Sequence, residues 1–293
     1  MKPASSQPIA VGFDGSAASC AAVDWAALAA ERHGLSLTIT TVLDYPGPWT
    51  GFTEPEAPVP AELTARAQHL VETAAHRAVK VLPESQVTTA VVQGPPAAVL
   101  RTLSENAAML VLGNRRHNEL GALSARSVTF ALASHARGPL VLVPETEAGG
   151  GGAVVVGVDG SAAAGRALER AADEAAALGV GLTVASAWSM PMETGAATFA
   201  WVGLDPALPI VLSEAAAECA TAAAAAARAR HPGLVVTEQV SEGRPAQLLS
   251  RCGEDAALVV VGSRGRGGFA SLLLGSVGHA VVHECAAPVM IVR

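Results

Sequence analysis

The sequence predicts an α/β fold, in which two doubly wound domains each contain a five-stranded parallel sheet (order 3-2-1-4-5) with helices on both faces. Three observations lead to this prediction. Hydrophobic residues make up 51% of the chain but aromatic residues only 3%, so the apolar residues are mostly aliphatic. Continuous apolar runs alternate with helix-forming segments, as is typical of parallel strands that are buried on both faces. The same alternation occurs twice along the chain.

The chain contains two copies of one unit. The segment IAVGFDGS at 9–16 returns as VVVGVDGS at 154–161, an offset of 145 residues. Near the end of each copy, GPLVLV at 138–143 matches APVMIV at 287–292, an offset of 149 residues. The change of offset predicts four extra residues in the middle of the second copy.

Each copy is expected to form one domain. The predicted division is a first domain at 1–146, a glycine-rich linker at 147–152 and a second domain at 153–293. In the second copy, strands are predicted near 153–159, 181–188, 234–240, 256–262 and 287–292, and helices near 162–178, 211–230, 245–253 and 276–284. The first copy repeats this order. Because parallel strands need right-handed crossovers, the helices should cover both faces of each sheet.

Charge and composition argue against several classes of protein. The formal net charge of −7 argues against a nucleic-acid partner, whose phosphates attract basic surfaces. Residues 1–7 are polar and do not resemble a secretory signal, and no run of about 18 apolar residues is free of charge. These observations predict a cytoplasmic protein without a membrane span. No metal site is predicted, because His279 and His283 lie four residues apart without a nearby third ligand.

Glycines and an aspartate indicate a ligand site in the second copy. The segment GSRGRGGFASLLLGS at 262–276 follows an apolar strand, and its Gly262, Gly265 and Gly275 are separated by two and then nine residues. In the order 3-2-1-4-5 the first and fourth strands are neighbours, so the loop that carries Asp159 and the loop after Gly262 open into one crevice. Glycines and a helix N-terminus allow backbone amides to approach an anion there.

These segments resemble the universal stress protein family. In the second copy, VGVDGS at 156–161, EGRPA at 242–246, VVVGSRG at 259–265 and the final PVMIV strand occur in the order expected for that family. The pattern at 262–276 is similar to the ATP-binding loop of the family's nucleotide-binding branch. The resemblance covers nearly the whole chain as a tandem pair. It implies an ATP-binding stress-response or regulatory protein that is not an enzyme, with Mg²⁺ accompanying the ATP.

The resemblance also implies a set of binding residues and a mode of association. Carried over onto this sequence, the nucleotide contacts are Asp159 at the ribose, the backbone near Ala187 at the adenine, and Gly262, Gly265, Gly275, Ser276 and Val277 at the ribose and phosphates. Arg264 and Arg266 either add positive charge or are solvated loop residues. The last strand of each copy lies at a sheet edge, which indicates a homodimer or an intrachain pseudo-dimer through these edge strands.

The first copy departs from the nucleotide-binding pattern. At an offset of 149, Gly113 keeps the first glycine and Ser127 the serine, but Arg116 and Arg126 replace the second and third glycines. Both changes place a long side chain where backbone should meet phosphate. If either position needs a positive φ, a residue other than glycine also costs on the order of 1 kcal/mol of strain. The first domain is therefore predicted to bind nucleotide poorly, although Asp14 is retained.

Three functions remain open from the sequence. They are non-enzymatic ATP binding, slow ATP hydrolysis and a nucleotide-free interaction scaffold. A P-loop is excluded because the only lysines are Lys2 and Lys80. No acid or base is evidently positioned to activate water, so binding is favoured over catalysis. The proline-containing stretches at 45–60 and 190–209 are candidates for a flap over adenine or an inter-domain contact, but long surface loops are favoured.

Overall fold

The computed structural model describes residues 7–45, 59–114, 128–145, 151–190, 207–266 and 274–293. The chain forms two compact units, Met1–Glu147 and Ala148–Arg293. Each unit alternates strands and helices around its own parallel sheet. The α/β class predicted from the sequence is confirmed.

The first unit contains five strands and four helices within the described residues, besides a short 3-10 turn at Glu84–Gln86. The strands are β1 (Ile9–Gly12), β2 (Leu37–Leu43), β3 (Val87–Gln93), β4 (Met109–Asn114) and β5 (Leu140–Pro144), and the helices are α1 (Ala17–His33), α2 (Ala61–Ala78), α3 (Pro96–Glu105) and α4 (Val128–His135). The sheet order is β3-β2-β1-β4-β5, and all four strand pairs are parallel. This is the predicted doubly wound order.

The second unit repeats the arrangement. Its strands are β6 (Val154–Gly157), β7 (Leu182–Trp188), β8 (Val236–Glu242), β9 (Leu258–Gly262) and β10 (Val289–Val292), and its helices are α5 (Ala162–Leu178), α6 (Leu208–Arg230), α7 (Pro245–Cys252) and α8 (Ser276–Glu284). The sheet order is β8-β7-β6-β9-β10, again parallel throughout. α6 starts three residues earlier than predicted, because Pro209 is tolerated in the first turn of a helix.

The four extra residues of the second copy lie between β7 and α6. β7 begins 145 residues after β2, whereas β8 begins 149 residues after β3. The buried alanines of the two long helices already follow the larger offset, since Ala67 and Ala78 of α2 correspond to Ala216 and Ala227 of α6. The helices α2 and α6 can therefore be compared residue by residue at an offset of 149.

The DGS segment after the first strand of each unit begins a helix. Ser16 and Ser161 are the N-caps of α1 and α5, and their side chains accept hydrogen bonds of 3.2 Å from the backbone N–H groups of Ser19 and Ala164. The preceding glycine has a left-handed backbone, with φ of 81° at Gly15 and 77° at Gly160. The helix start and the turn before it are thus fixed by three consecutive residues.

The helices of the second unit cover both faces of its sheet. α5 packs against β6, β9 and α6, whereas α7 packs against β6, β7 and α8. Among the described residues, one helix, α6, is long and apolar enough to cross a membrane by length and composition alone. Its apolar character comes mostly from alanine, and its buried residues are Ala216, Ala220, Ala224 and Ala227. α6 packs against β7 and β8, which accounts for these four buried alanines, whereas most of the apolar stretch is not buried.

The first loop glycine of each unit allows a helix to pack closely on a strand end. A β-carbon at Gly262 would lie 2.8 Å from the carbonyl carbon of Ala163, and one at Gly113 would lie 2.6 Å from the carbonyl oxygen of Ala18. Such distances are atomic overlaps, so α5 and α1 can pack at these positions only where a side chain is missing. The fold itself therefore requires this glycine in both units.

The substitution Gly262→Ala should destabilise the protein by about 1 to 3 kcal/mol, because its β-carbon overlaps the backbone of α5. Gly165→Ala is the matched control, since no atom lies within 4 Å of a β-carbon built at this position of α5. The control should be neutral or stabilising by up to about 1 kcal/mol. Urea unfolding measures both free energies, and equal stability of Gly262→Ala and the unsubstituted protein would contradict the packing argument.

Candidate functional site

The predicted site residues lie at the carboxyl ends of β6, β7 and β9. β6 and β9 are neighbours, with Val156 opposite Val260, and the winding of the sheet reverses between them. The loop after β6 carries Asp159, and the glycine-rich segment starts at Gly262, the last residue of β9. Ala187 is one strand away, near the end of β7. Ligands of doubly wound sheets bind at this reversal of the strand order.

Asp159 joins the two loops through both of its carboxylate oxygens. Oδ1 accepts a 2.9 Å hydrogen bond from the backbone N–H of Ser161, which shapes the turn into α5. Oδ2 accepts a 2.9 Å hydrogen bond from the backbone N–H of Arg266 in the glycine-rich loop. We call this pair of hydrogen bonds the Asp159 bridge. It fixes the loop after β9 to the loop after β6.

The carboxylate of Asp159 also explains why residue 265 is a glycine. A β-carbon at Gly265 would lie 2.5 Å from Oδ2 of Asp159, so a side chain would push the carboxylate away from the loop. Backbone conformation is not the reason for this glycine. The described glycines with positive φ are Gly15, Gly34, Gly94, Gly160, Gly179 and Gly243. Neither Gly265 nor Gly275 is among them, so neither position of the second unit requires a positive φ.

The Asp159 bridge also sets the ionisation of the carboxylate. Burial by itself raises the pKa of Asp159. Hydrogen bonds from Ser161 and Arg266, together with the positive charge of Arg266, outweigh burial and lower the pKa below its ordinary value of 3.8. The side chain is therefore an anion at neutral pH, which suits its role as a double acceptor.

Gly275 differs from the other two glycines because the fold does not require it. It is the N-cap of α8 with φ −69° and ψ 156°, which any residue can adopt, and its N–H donates a 2.9 Å bond to the carbonyl oxygen of Ser263. A β-carbon there would have its nearest neighbours at 3.6 Å, an ordinary contact distance. No side chain caps this helix, so the amides of Ser276 and Val277 are in its uncapped first turn.

The two loop arginines lie in different places. The Arg266 guanidinium lies against Gly160, since a β-carbon built on that glycine would overlap Nη2 and lie 3.1 Å from Cζ. Its positive charge is therefore beside Asp159. Arg264 lies near the last residue instead: burial, and then the charge of Arg264, lower the pKa of Arg293. The structure thus places the side chain of Arg266, rather than that of Arg264, next to the carboxylate.

Sequence reasoning missed Cys219, a half-buried residue of α6 that lies close to this site. Burial raises the pKa of the Cys219 thiol, and the charges of Arg266 and Asp159 act on it in opposite directions. The internal repeat offered a signal, since Cys219 corresponds to Leu70 at an offset of 149. The sequence alone does not show which face of α6 lies next to the site, so this difference between the repeats could not be linked to the site.

Among the other histidines and cysteines that the structure describes, His279 and His283 are four residues apart, a spacing that can bring two histidines of a helix to one metal ion. The rings of His279 and His283 on α8 lie with centroids 4.7 Å apart. Within the described ranges, no group of three or more histidine, cysteine, aspartate or glutamate side chains is arranged to hold a metal ion.

Several predicted features fall outside the described residues. These are Arg116, Arg126 and Ser127 of the first unit, residues 267–273 of the glycine-rich loop, and most of the two stretches considered as flaps, 46–58 and 191–206. The predictions made for them remain predictions.

Two doubly wound domains, the second of which has a glycine-rich sequence after its fourth strand, define a tandem α/β protein. The model of the universal stress protein family matches residues 6–144 and 152–293. A universal stress protein of Mycobacterium tuberculosis is 34% identical over 302 residues, covering 97% of this chain and 94% of the relative. Another, from Mycolicibacterium smegmatis, is 33% identical over 297 residues, covering 97% and 96%.

Solved structures agree on the fold. The crystal structure of a universal stress protein from Archaeoglobus fulgidus covers 97% of this chain and 98% of its own, with a TM-score of 0.63 and 19% identity. The chain belongs to the universal stress protein family as a tandem of two such domains. The resemblance stated from the sequence motifs is confirmed.

The substitution Asp159→Asn should release the glycine-rich loop, because an amide oxygen can replace only one carboxylate oxygen and its NH₂ group faces the other N–H donor. We expect the Arg266 amide to exchange with deuterium faster in the nucleotide-free protein. Asp14→Asn is the matched control, since Asp14 accepts the equivalent 3.0 Å bond from Ser16 in the first unit. Unchanged exchange at Arg266 in Asp159→Asn would contradict the Asp159 bridge.

The same loop should loosen in acid. Because the pKa of Asp159 is lowered on folding, the stabilisation by its ionised carboxylate is complete above the ordinary pKa of 3.8 and is lost as the pH falls through the lower folded-state pKa. Exchange at Arg266, corrected for its intrinsic rate, should be constant from neutral pH down to this range and then rise. The Asp159→Asn protein should show no such step.

Proposed function

We propose that the second unit binds ATP and that the protein acts in stress response or regulation through nucleotide-dependent conformation or partner binding. Gly275 carries the proposal. Neither backbone conformation nor packing within the described chain requires glycine there, yet any side chain would stand beside the uncapped amides of α8. A phosphate bound to those amides gives the position a reason to lack a side chain.

The other residues of the crevice suit the rest of the nucleotide. Each oxygen of Asp159 accepts one backbone N–H and has a further lone pair, so it can also accept a ribose hydroxyl. The backbone near Ala187 would meet the adenine. The amides of Ser276 and Val277 would meet phosphate, with charge-assisted hydrogen bonds that contribute about 1.5 to 3 kcal/mol each.

Arginine and magnesium would complete the phosphate contacts. The guanidinium of Arg266 is on an exposed loop residue and can turn from Gly160 toward a phosphate. Arg264 precedes it in the same loop. Mg²⁺ would be held by phosphate oxygens and water, which is its usual preference, since the described residues offer no metal-binding group of their own.

Binding fits this site better than hydrolysis. A general base needs a pKa near the working pH, whereas that of Asp159 is lowered from 3.8. Its two oxygens are also engaged by backbone amides. Nucleotide occupancy can still act on partners, provided that ATP binds two conformations of the protein with different affinity.

The first unit would contribute differently. It retains the Asp14 turn, with its 3.0 Å bond from Ser16, but its sequence has Arg116 and Arg126 in place of the second and third glycines. We infer that this unit binds nucleotide poorly and acts as a structural or interaction domain. Dimerisation through the last strands, a cytoplasmic location and the lack of nucleic-acid or membrane partners remain predictions.

Mass spectrometry of the purified protein after heat release of bound ligand tests the proposal directly. ATP in the released fraction, or micromolar to millimolar ATP affinity by calorimetry, would support the nucleotide-binding function. Release of ADP together with measurable turnover would favour the ATPase alternative. A protein that carries no nucleotide and ignores ATP at millimolar concentration would leave the scaffold as the better description.

The substitution Gly275→Arg should abolish ATP binding, since it introduces into the second unit the arginine that the first unit has at 126. Gly275→Ser is a finer test. Serine is at least as good an N-cap as glycine, so the free energy of unfolding should not fall, while affinity drops about tenfold or more as the side chain meets the phosphate. Gly165→Ala serves as the control. Calorimetry that finds unchanged affinity in both Gly275 variants would contradict the proposed role of this glycine.

A further inference from the structure

Each unit places a side chain against the glycine that follows its first-strand aspartate, but the two side chains differ. In the first unit, a β-carbon built on Gly15 would lie 3.0 Å from Cδ2 of Leu70, a residue of α2. In the second unit, the equivalent Gly160 is covered by the guanidinium of Arg266 from the glycine-rich loop. The same position beside the aspartate is therefore apolar in one unit and cationic in the other.

One position of the helices α2 and α6 differs in a way that matches this difference between the units. At the offset of 149 that aligns the buried alanines of α2 and α6, Leu70 corresponds to Cys219, and both residues are half-buried. Cysteine has a thiol where leucine has an isopropyl group. Cys219 lies close enough to Arg266 and Asp159 for their charges to affect the pKa of its thiol, which is raised by burial. A shorter side chain at this position of α6 would leave space for the guanidinium that lies against Gly160.

The side chains of Leu70 and Arg266 differ in how easily they can move away from the neighbouring glycine. Arg266 is an exposed loop residue, so its guanidinium can give up its contact with Gly160 and bind water or a phosphate at little cost in free energy. Leu70 precedes Val71, which is 1% exposed and fixes α2 against the sheet. Turning Leu70 outward would expose apolar surface at about 25 cal/mol per Å². Moving the side chain beside Gly15 should therefore cost more free energy than moving the one beside Gly160.

We propose that this helix position, Leu70 in the first unit and Cys219 in the second, is a specificity-determining position that decides which unit admits a nucleotide. The inference rests on the proposed function and deepens it. The property that matters is the size of the side chain and not the reactivity of the thiol. The first unit differs from the second in two ways, by Arg116 and Arg126 in the sequence of its loop and by Leu70 on α2, so restoring the two glycines alone should not create a site.

The substitution Cys219→Leu tests the position in the second unit. It should lower ATP affinity at least tenfold by calorimetry, because leucine occupies the face of Gly160. The equivalent helix α2 has leucine at this position, so the free energy of unfolding should stay close to that of the unsubstituted protein. Cys219→Ala is the control for the thiol, and its affinity should stay within about twofold. Unchanged affinity in Cys219→Leu overturns the proposal, and so does equal loss in both variants.

The reverse experiment uses the first unit. The variant Arg116→Gly/Arg126→Gly should still bind one ATP per chain, whereas the same variant with Leu70→Cys added should bind two. Stoichiometry is read from calorimetry on the full chain. A second ATP site in the double variant would show that the loop residues alone determine whether the first unit binds ATP. A single ATP site in the triple variant would show that Leu70 does not prevent binding there. Either result overturns the proposal.

A measurement without nucleotide separates this inference from the proposed function. In Cys219→Leu, the guanidinium should be displaced from Gly160, and the amide resonance of Gly160 in the NMR spectrum should shift, while Cys219→Ala leaves it close to its original position. An unshifted Gly160 resonance in Cys219→Leu contradicts the steric argument. If the unsubstituted protein does not bind ATP but this resonance shifts as expected, the proposed function fails and the packing argument stands.

Discussion

The carboxylate of Asp159 is the interaction on which the candidate site depends. It lies at the end of one strand and holds, through two 2.9 Å hydrogen bonds, both its own turn and a loop that follows the neighbouring strand. These bonds lower its pKa despite burial, and they require that Gly265 have no side chain. The start of α8 is tied to the same loop through the Gly275 to Ser263 bond. One half-buried anion therefore holds the loop after β9, and the N-terminus of α8 is hydrogen-bonded to the same loop.

The three glycines of the loop motif are not required for the same reason. Gly262 allows α5 to pack on the end of β9, Gly265 accommodates the carboxylate of Asp159, and only Gly275 has no cause within the described fold. The packing requirement explains why the first unit keeps Gly113, although its sequence has arginine at the other two positions. A glycine needed for helix packing is retained even where ligand binding is not expected.

Much of the fold could be predicted because local and long-range signals agree. Apolar runs buried on both faces give parallel strands, and the repeated DGS segment marks a strand end, a left-handed turn and a serine N-cap in three residues. The repeat also located the four-residue insertion. The start of α6 was less predictable, because a proline such as Pro209 is equally compatible with a loop and with the first turn of a helix.

The sequence by itself determined the tandem repeat, the doubly wound order and the family, because these follow from the spacing of apolar segments and short motifs along the chain. It also brought Asp159 and the glycine-rich loop to one end of adjacent strands. Only the tertiary structure decided what each residue touches: that Asp159 binds backbone amides, that Arg266 covers Gly160, and that Leu70 lies against Gly15. The reason is physical, since these contacts join residues far apart in sequence and depend on how closely helices and strands pack, which a linear pattern does not encode.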